Sequence, residues 1–298
     1  MKFLCVILSL FLITSTVCAE SQIISTDNFT TVKQLIEQNK HPHHLLLALD
    51  DDDTLTMMPC PSPSNCQYLG SPAWFSWQYN LPLNSKDRVW HQFPQLIAIT
   101  SLIFDMSQMV LTDSKIPDTL KTADNRGVVT LVETARGYSQ AGSTERQFSQ
   151  NHILHYIEKD AIHTSKNHIS YPGFYFPEPF NKSPVRRVAY LHGIYYVDGQ
   201  NKGEMIKQLL EKTKQTKNIR TIIFVDDTNQ NVIDVAHVYK NNPRVNVISV
   251  HYTRLAKNKA AFLTGKNAKK LQAIANARWY AIRDFLKKTL PGFSLYHV

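Results

Sequence analysis

The strongest constraint in this chain is a set of short apolar runs that do not alternate. Leu45–Leu49, Val128–Val132, Thr221–Val225 and Val245–Val250 are nearly continuous in apolar residues, and each stops at a polar group. A strand with one wet face alternates apolar and polar residues. A strand without alternation is buried on both faces, as in a parallel sheet covered by helices. Helical spacing fills the intervals at residues 28–40, 203–213, 229–240 and 254–288. Strands alternating with helices predict an α/β fold, a doubly wound and mostly parallel sheet.

Two stretches interrupt the alternation. Residues 57–119 hold Pro-rich and Trp-rich segments, and residues 138–186 are rich in His, Tyr, Phe and Pro. Both are too long for ordinary connections between a strand and a helix. The expected organisation is therefore a core of residues 20–56 plus 120–298. It carries a helical cap-like insertion at 57–119 and a second insertion at 138–186. The basic helical run at 254–288 is expected to pack its apolar face on the sheet, with anionic-surface binding as the alternative.

Residues 1–19 have a lysine, an apolar stretch and small residues at Val17 and Ala19. That is the pattern of a signal peptide, and its apolar run is short for a membrane span. The expected location is exported, periplasmic or extracellular, with no stable membrane insertion after cleavage. Loss of Lys2 with the leader leaves 32 basic and 24 acidic residues, a net charge of +8. No nucleic-acid partner is expected from so weak an excess. Outside the leader the only cysteines are Cys60 and Cys66, in "PCPSPSNC". An even count, a short loop and an exported context favour a disulfide over free thiols. A zinc site needs ligands that this loop lacks.

Ligands of an open parallel sheet bind beyond the carboxyl ends of its strands. The strand ends here supply Asp50, Asp52 and Thr54, then Thr134 and Arg136, then Asp226 and Asp227, with Lys202 opening a helix. Carboxylates from two strands can converge on one cation, and an oxygen-only set suits Mg²⁺. A hydroxyl, a lysine and a helix N-terminus suit phosphate. A carboxylate can also act as a nucleophile toward phosphorus.

In order along the chain, "LALDDDDTLT", "VVTLVETARG", "DGQNKGEMIKQLL" and "TIIFVDDTNQNV" resemble the four motifs of the haloacid dehalogenase superfamily. The "TAR" and "NKGE" contexts, with the leader, resemble a secreted bacterial branch of it. The resemblance implies Asp50 as nucleophile and Asp52 as general acid and then base. It implies Mg²⁺ held by Asp50, the Asp52 main-chain carbonyl, Asp226 and Asp227. It also implies Thr134 and Lys202 on the transferring phosphoryl group, with Thr54 steadying the loop. Arg136 is a further phosphate contact or a surface salt bridge.

The expected function is thus an exported, Mg²⁺-dependent phosphomonoester phosphatase working through an aspartyl-phosphate. Its substrate would be a phosphorylated small molecule or a phosphoprotein. The alternative is a non-catalytic binding protein of the same fold, acting on a partner through its insertions and basic C-terminal helix. Asp51 and Asp53 are expected to point away from the site, by the alternation of side chains along a strand. Asp51, where the superfamily usually has an apolar or aromatic residue, is expected to make metal binding strongly stabilising.

Overall fold

A computed structural model describes residues 21–62, 64–162, 174–176 and 188–295. The proposed leader, residues 1–19, lies outside them. In chain order the elements are β1 (Ser21–Thr26), α1 (Phe29–Gln38), β2 (Leu45–Leu49), β3 (Thr56–Met57), α2 (Pro72–Asn80), α3 (Phe93–Met106) and β4 (Val110–Leu111). Then come α4 (Ile116–Arg126), β5 (Val129–Thr134), α5 (Ala141–Gln150), α6 (Leu154–Lys159), β6 (Phe174–Phe176), β7 (Val188–Leu191) and β8 (Ile194–Tyr196). The chain continues with α7 (Lys202–Lys212), β9 (Thr221–Asp226), α8 (Asn229–Tyr239), β10 (Asn246–Tyr252), α9 (Ala256–Leu263) and α10 (Ala268–Thr289).

Eight strands form one sheet in the order β1-β10-β9-β2-β5-β8-β7-β6. The pairs from β1 through β8 are parallel, and only β7 and β6 add antiparallel pairs at one edge. All five residues of β2 are buried, as a two-faced strand requires. One face is covered by α1, α4, α5 and α6, through Phe29, Ile36, Leu120, Phe148 and Ile157 against Leu47 and Leu49. The other is covered by α7 and α8, through Met205, Ile206, Val232 and Val235 against Leu46 and Ala48. Burying a side chain of this size stabilises by about 1.5–3 kcal/mol, so both layers are needed.

The accessory unit is shorter than the sequence suggests. Thr56–Leu111 carries β3, α2, α3 and β4, whereas α4 packs on α1 within the core. Apolar spacing shows that a helix has a buried face, not what covers it. Of the second proposed insertion, residues up to 162 fold as α5 and α6 against the core, and β6 pairs with β7 at the edge of the sheet. Residues 163–173 and 177–187 lie outside the described residues.

The basic C-terminal run is corrected too. It breaks at Thr264–Asn267 into α9 and α10. Phe262, Ala275 and Trp279 pack into the α2/α3 cluster with Trp74, Leu96 and Ile103, not onto the sheet. Cys60 and Cys66 form a disulfide at the edge of this cluster. No helix among the described residues is long and apolar enough to cross a membrane.

Candidate functional site

Adjacent strands β9, β2 and β5 end together and deliver Asp226, Asp50 and Thr134 to one rim of the sheet. Asp50 continues the ladder, its N–H donating to the Val225 carbonyl at 2.9 Å. The backbone then turns. The Asp51 carbonyl accepts from the N–H groups of Thr54, Leu55 and Thr56, and Asp53 takes a left-handed φ of 63°. Asp50 and Asp52 line a cleft at this rim and Asp51 and Asp53 do not, although each of the latter contacts a cation of the site.

Each of three cations bridges two aspartates. Lys202 Nζ donates to Asp50 Oδ1 at 2.5 Å and Asp226 Oδ2 at 2.7 Å, with all three side chains almost wholly buried. Arg136 makes a two-point fork with Asp52, at 2.8 and 2.7 Å, and stands 3.2 Å from Asp51 Oδ2. Lys259 pairs with Asp227 and lies 3.4 Å from Asp53. Packing supports each cation. Asn201 caps α7 by accepting from the Glu204 N–H. Gly203 lets α7 approach α8 closely, since a Cβ there would lie 2.9 Å from the Asp234 carbonyl. The Arg136 guanidinium lies 4.0 Å from the centre of the Phe104 ring and donates also to Thr144 and Gln147.

Thr54 steadies the loop. Its hydroxyl donates to Asp50 Oδ2 at 3.0 Å and accepts from the Asp227 N–H at 3.1 Å. Thr134 is fully buried, and its hydroxyl accepts from the Arg136 main-chain N–H at 3.2 Å. It therefore braces the turn. Arg136 is buried, with its donors on protein acceptors, so it is not a surface salt bridge, and it lines the cleft beside Asp52. Sequence reasoning missed Lys259, one lysine among many in a basic helix. Only its place near the ends of β2 and β9 marks it. It also missed Glu133, which is fully buried with neither carboxylate oxygen hydrogen-bonded.

The three sets hold six aspartates against three cations, a charge of −3 if all are ionised. Burial pushes Asp50 up to about 7, opposed by Lys202 and reinforced by Asp226. Burial pushes Asp51 up to about 6 against Arg136, and Asp53 up to about 6 against Lys259. Burial likewise raises Glu133 well above the ordinary carboxyl range. For Lys202 burial acts downward, but Asp226 and Asp50 outweigh it and hold the ammonium charged. Asp50, Asp226 and Asp227 each offer an oxygen within 4.8 Å of the others. This all-oxygen, charge-deficient set fits a hard divalent cation.

A cleft of about 190 Å³ opens above these groups. Its floor is polar, with Asp50, Asp52, Lys202, Asp227 and Asn231, and its opposite wall comes from α2 and α3. No curated protein and no solved structure matches the chain. A family described as "Protein of unknown function (DUF2608)" matches residues 25–290. The match runs through every strand and helix from α1 to α10, so the chain belongs to that family.

Proposed function

We propose that the protein is a phosphomonoester hydrolase of haloacid-dehalogenase type, exported and Mg²⁺-dependent. The observation that carries this reading is the buried Asp50–Lys202–Asp226 set at the floor of an open cleft, with Asp227 beside it. Asp50 attacks phosphorus. An Asp50 O–P bond forms as the P–O bond to the alcohol breaks, and Asp52 gives the leaving oxygen a proton. Water then attacks the same phosphorus while Asp52 takes its proton. The acyl-phosphate bond breaks, and phosphate and the Asp50 carboxylate are released.

Lys202 moves from the carboxylates to the phosphoryl oxygens and offsets their charge. Asp50, Asp226 and Asp227, with the Asp52 carbonyl, would hold Mg²⁺, which neutralises phosphoryl charge when bound. Both Asp52 oxygens accept from Arg136, so the fork must open for Asp52 to carry a proton. That tether also motivates a second reading, a binding protein of this fold without turnover.

The test is hydrolysis of a panel of aryl and alkyl phosphates by the chain lacking residues 1–19. It is run with Mg²⁺, with chelator, and with Asp50→Asn. Mg²⁺-dependent turnover lost at least 10³-fold in Asp50→Asn is expected for a removed nucleophile, by order of magnitude. No turnover of any ester, and no Mg²⁺ effect on Tm, would favour the binding-protein reading instead.

A further inference from the structure

The helix α3 is apolar on two faces. Leu96, Ile99 and Ile103 turn into the accessory core. Ile97, Thr100 and Phe104, spaced at i, i+3 and i+7, turn to the cleft. From α2, Pro72 and Phe75 meet the same space. Ile97 and Phe75 stay half-buried, although a solvated helix face would carry polar residues there. The cleft thus opposes a charged floor to an apolar wall.

Taking that reading of the floor as given, we propose that the substrate is a small phosphate monoester whose alcohol is a compact apolar body, an aryl or branched alkyl group. Size supports this. A pocket of about 150 Å³ holds a benzene ring, and this cleft has about 190 Å³. One ring-sized group fills the wall with the phosphoryl group on the floor. A polyhydroxylated body of equal size would leave its hydroxyls facing Phe75 and Ile97 without partners, which is costly.

The experiment compares two probe pairs on the chain lacking residues 1–19, with Mg²⁺ present. Phenylphosphonate and methylphosphonate are titrated calorimetrically, and hydrolysis of benzyl phosphate and glycerol phosphate, both primary alkyl esters, is followed. The aromatic member of each pair is expected to be favoured at least about tenfold. Phe75→Ala and Ile97→Ala are expected to shrink that ratio toward one while circular dichroism stays native. Equal or reversed preference in the wild-type protein, in binding or in turnover, overturns the apolar-substrate inference. Preferential phenylphosphonate binding with no hydrolysis of either ester would keep the wall's preference for an apolar ligand but remove the phosphatase reading, and with it the ester as substrate.

Discussion

Lys202 and Lys259 do the same thing in two different places. Each joins an aspartate after β2 to one at the end of β9 or just past it, Lys202 through Asp50 and Asp226, Lys259 through Asp53 and Asp227. Lys202, the first residue of α7, is 2% exposed, whereas Lys259 is 24% exposed and reaches in from α9. Burial separates them. In a dry site the charges interact strongly and losing one partner strands the others. In a wet one water and salt replace the missing charge. A reaction that must concentrate charge on a phosphoryl group is expected on the Lys202 side. The Lys259 side is suited to trimming the field.

The largest effect belongs to Lys202→Met. It leaves Asp50 and Asp226 facing each other without a cation, and breaking a buried pair in this way costs about 3–5 kcal/mol. Urea unfolding at pH 8 with chelator measures it. Mg²⁺ is expected to restore part of the loss, because a divalent ion replaces the missing positive charge. A cost below that of Lys259→Met would mean that burial does not separate the two lysines.

Arg136→Lys comes next. A lysine keeps the charge but cannot form the fork on Asp52 while also reaching Thr144 and Gln147. The expected loss is about 2 kcal/mol, and kcat should fall more than KM rises, since Asp52 loses its position rather than its chemistry. A change confined to KM would mean that Arg136 contacts substrate after all.

Asp50→Asn is expected to move stability the other way. Burial, with Asp226 adding repulsion against the pull of Lys202, raises Asp50 from 3.8 to about 7. Between those values the folded chain keeps a proton that the unfolded chain has lost. The group's contribution is therefore fully present below the lower value and lost as pH rises through the upper one. Asparagine fills the same space without a charge. In metal-free protein at pH 8 it should raise Tm by about 2–4 °C, with little gain at pH 4. Added Mg²⁺ should reverse the order, stabilising only the wild type. A lower Tm for Asp50→Asn at pH 8 without metal would show that Lys202 already compensates the carboxylate.

Much of this arrangement is legible in the chain before folding. β2, β5, β9 and β10 are visible because buried parallel strands cannot alternate, and Asp50, Lys202, Asp226 and Asp227 because they sit at element ends. β1, "SQIIST", escapes because an edge strand with two isoleucines looks like a loop. The β7–β8 hairpin escapes because its strands are only four and three residues long and carry no clear strand pattern. The role of Asp51 escapes for a different reason. Its direction depends on a turn that starts one residue after the strand, and its partner Arg136 lies 85 positions away in sequence. The expectation that Asp51 makes metal binding strongly stabilising therefore has a competing account, since Arg136 and the Thr56 hydroxyl already meet its charge. Lys259 escapes because a tertiary contact, not local spacing, distinguishes it from its neighbours.

Lys259→Met is expected to have the smallest effect on the fold and to be the most informative about the metal. Lys259 is 24% exposed but Asp227 and Asp53 only 7%, so screening is partial; the loss should be about 1 kcal/mol and shrink in 1 M salt. Its consequence for Mg²⁺ has the opposite sign. With the ammonium gone, Asp53 and Asp227 add uncompensated negative charge, and Asp227 is released from its competing partner. Mg²⁺ affinity by calorimetry is therefore expected to rise, by a few-fold for about 1 kcal/mol of relieved competition. An unchanged affinity would place Asp227 outside the ligand set and leave Asp50 and Asp226 to hold the cation. A weakened affinity would mean that Lys259 holds Asp227 in its ligating position, and the two lysines would then differ in burial but not in kind.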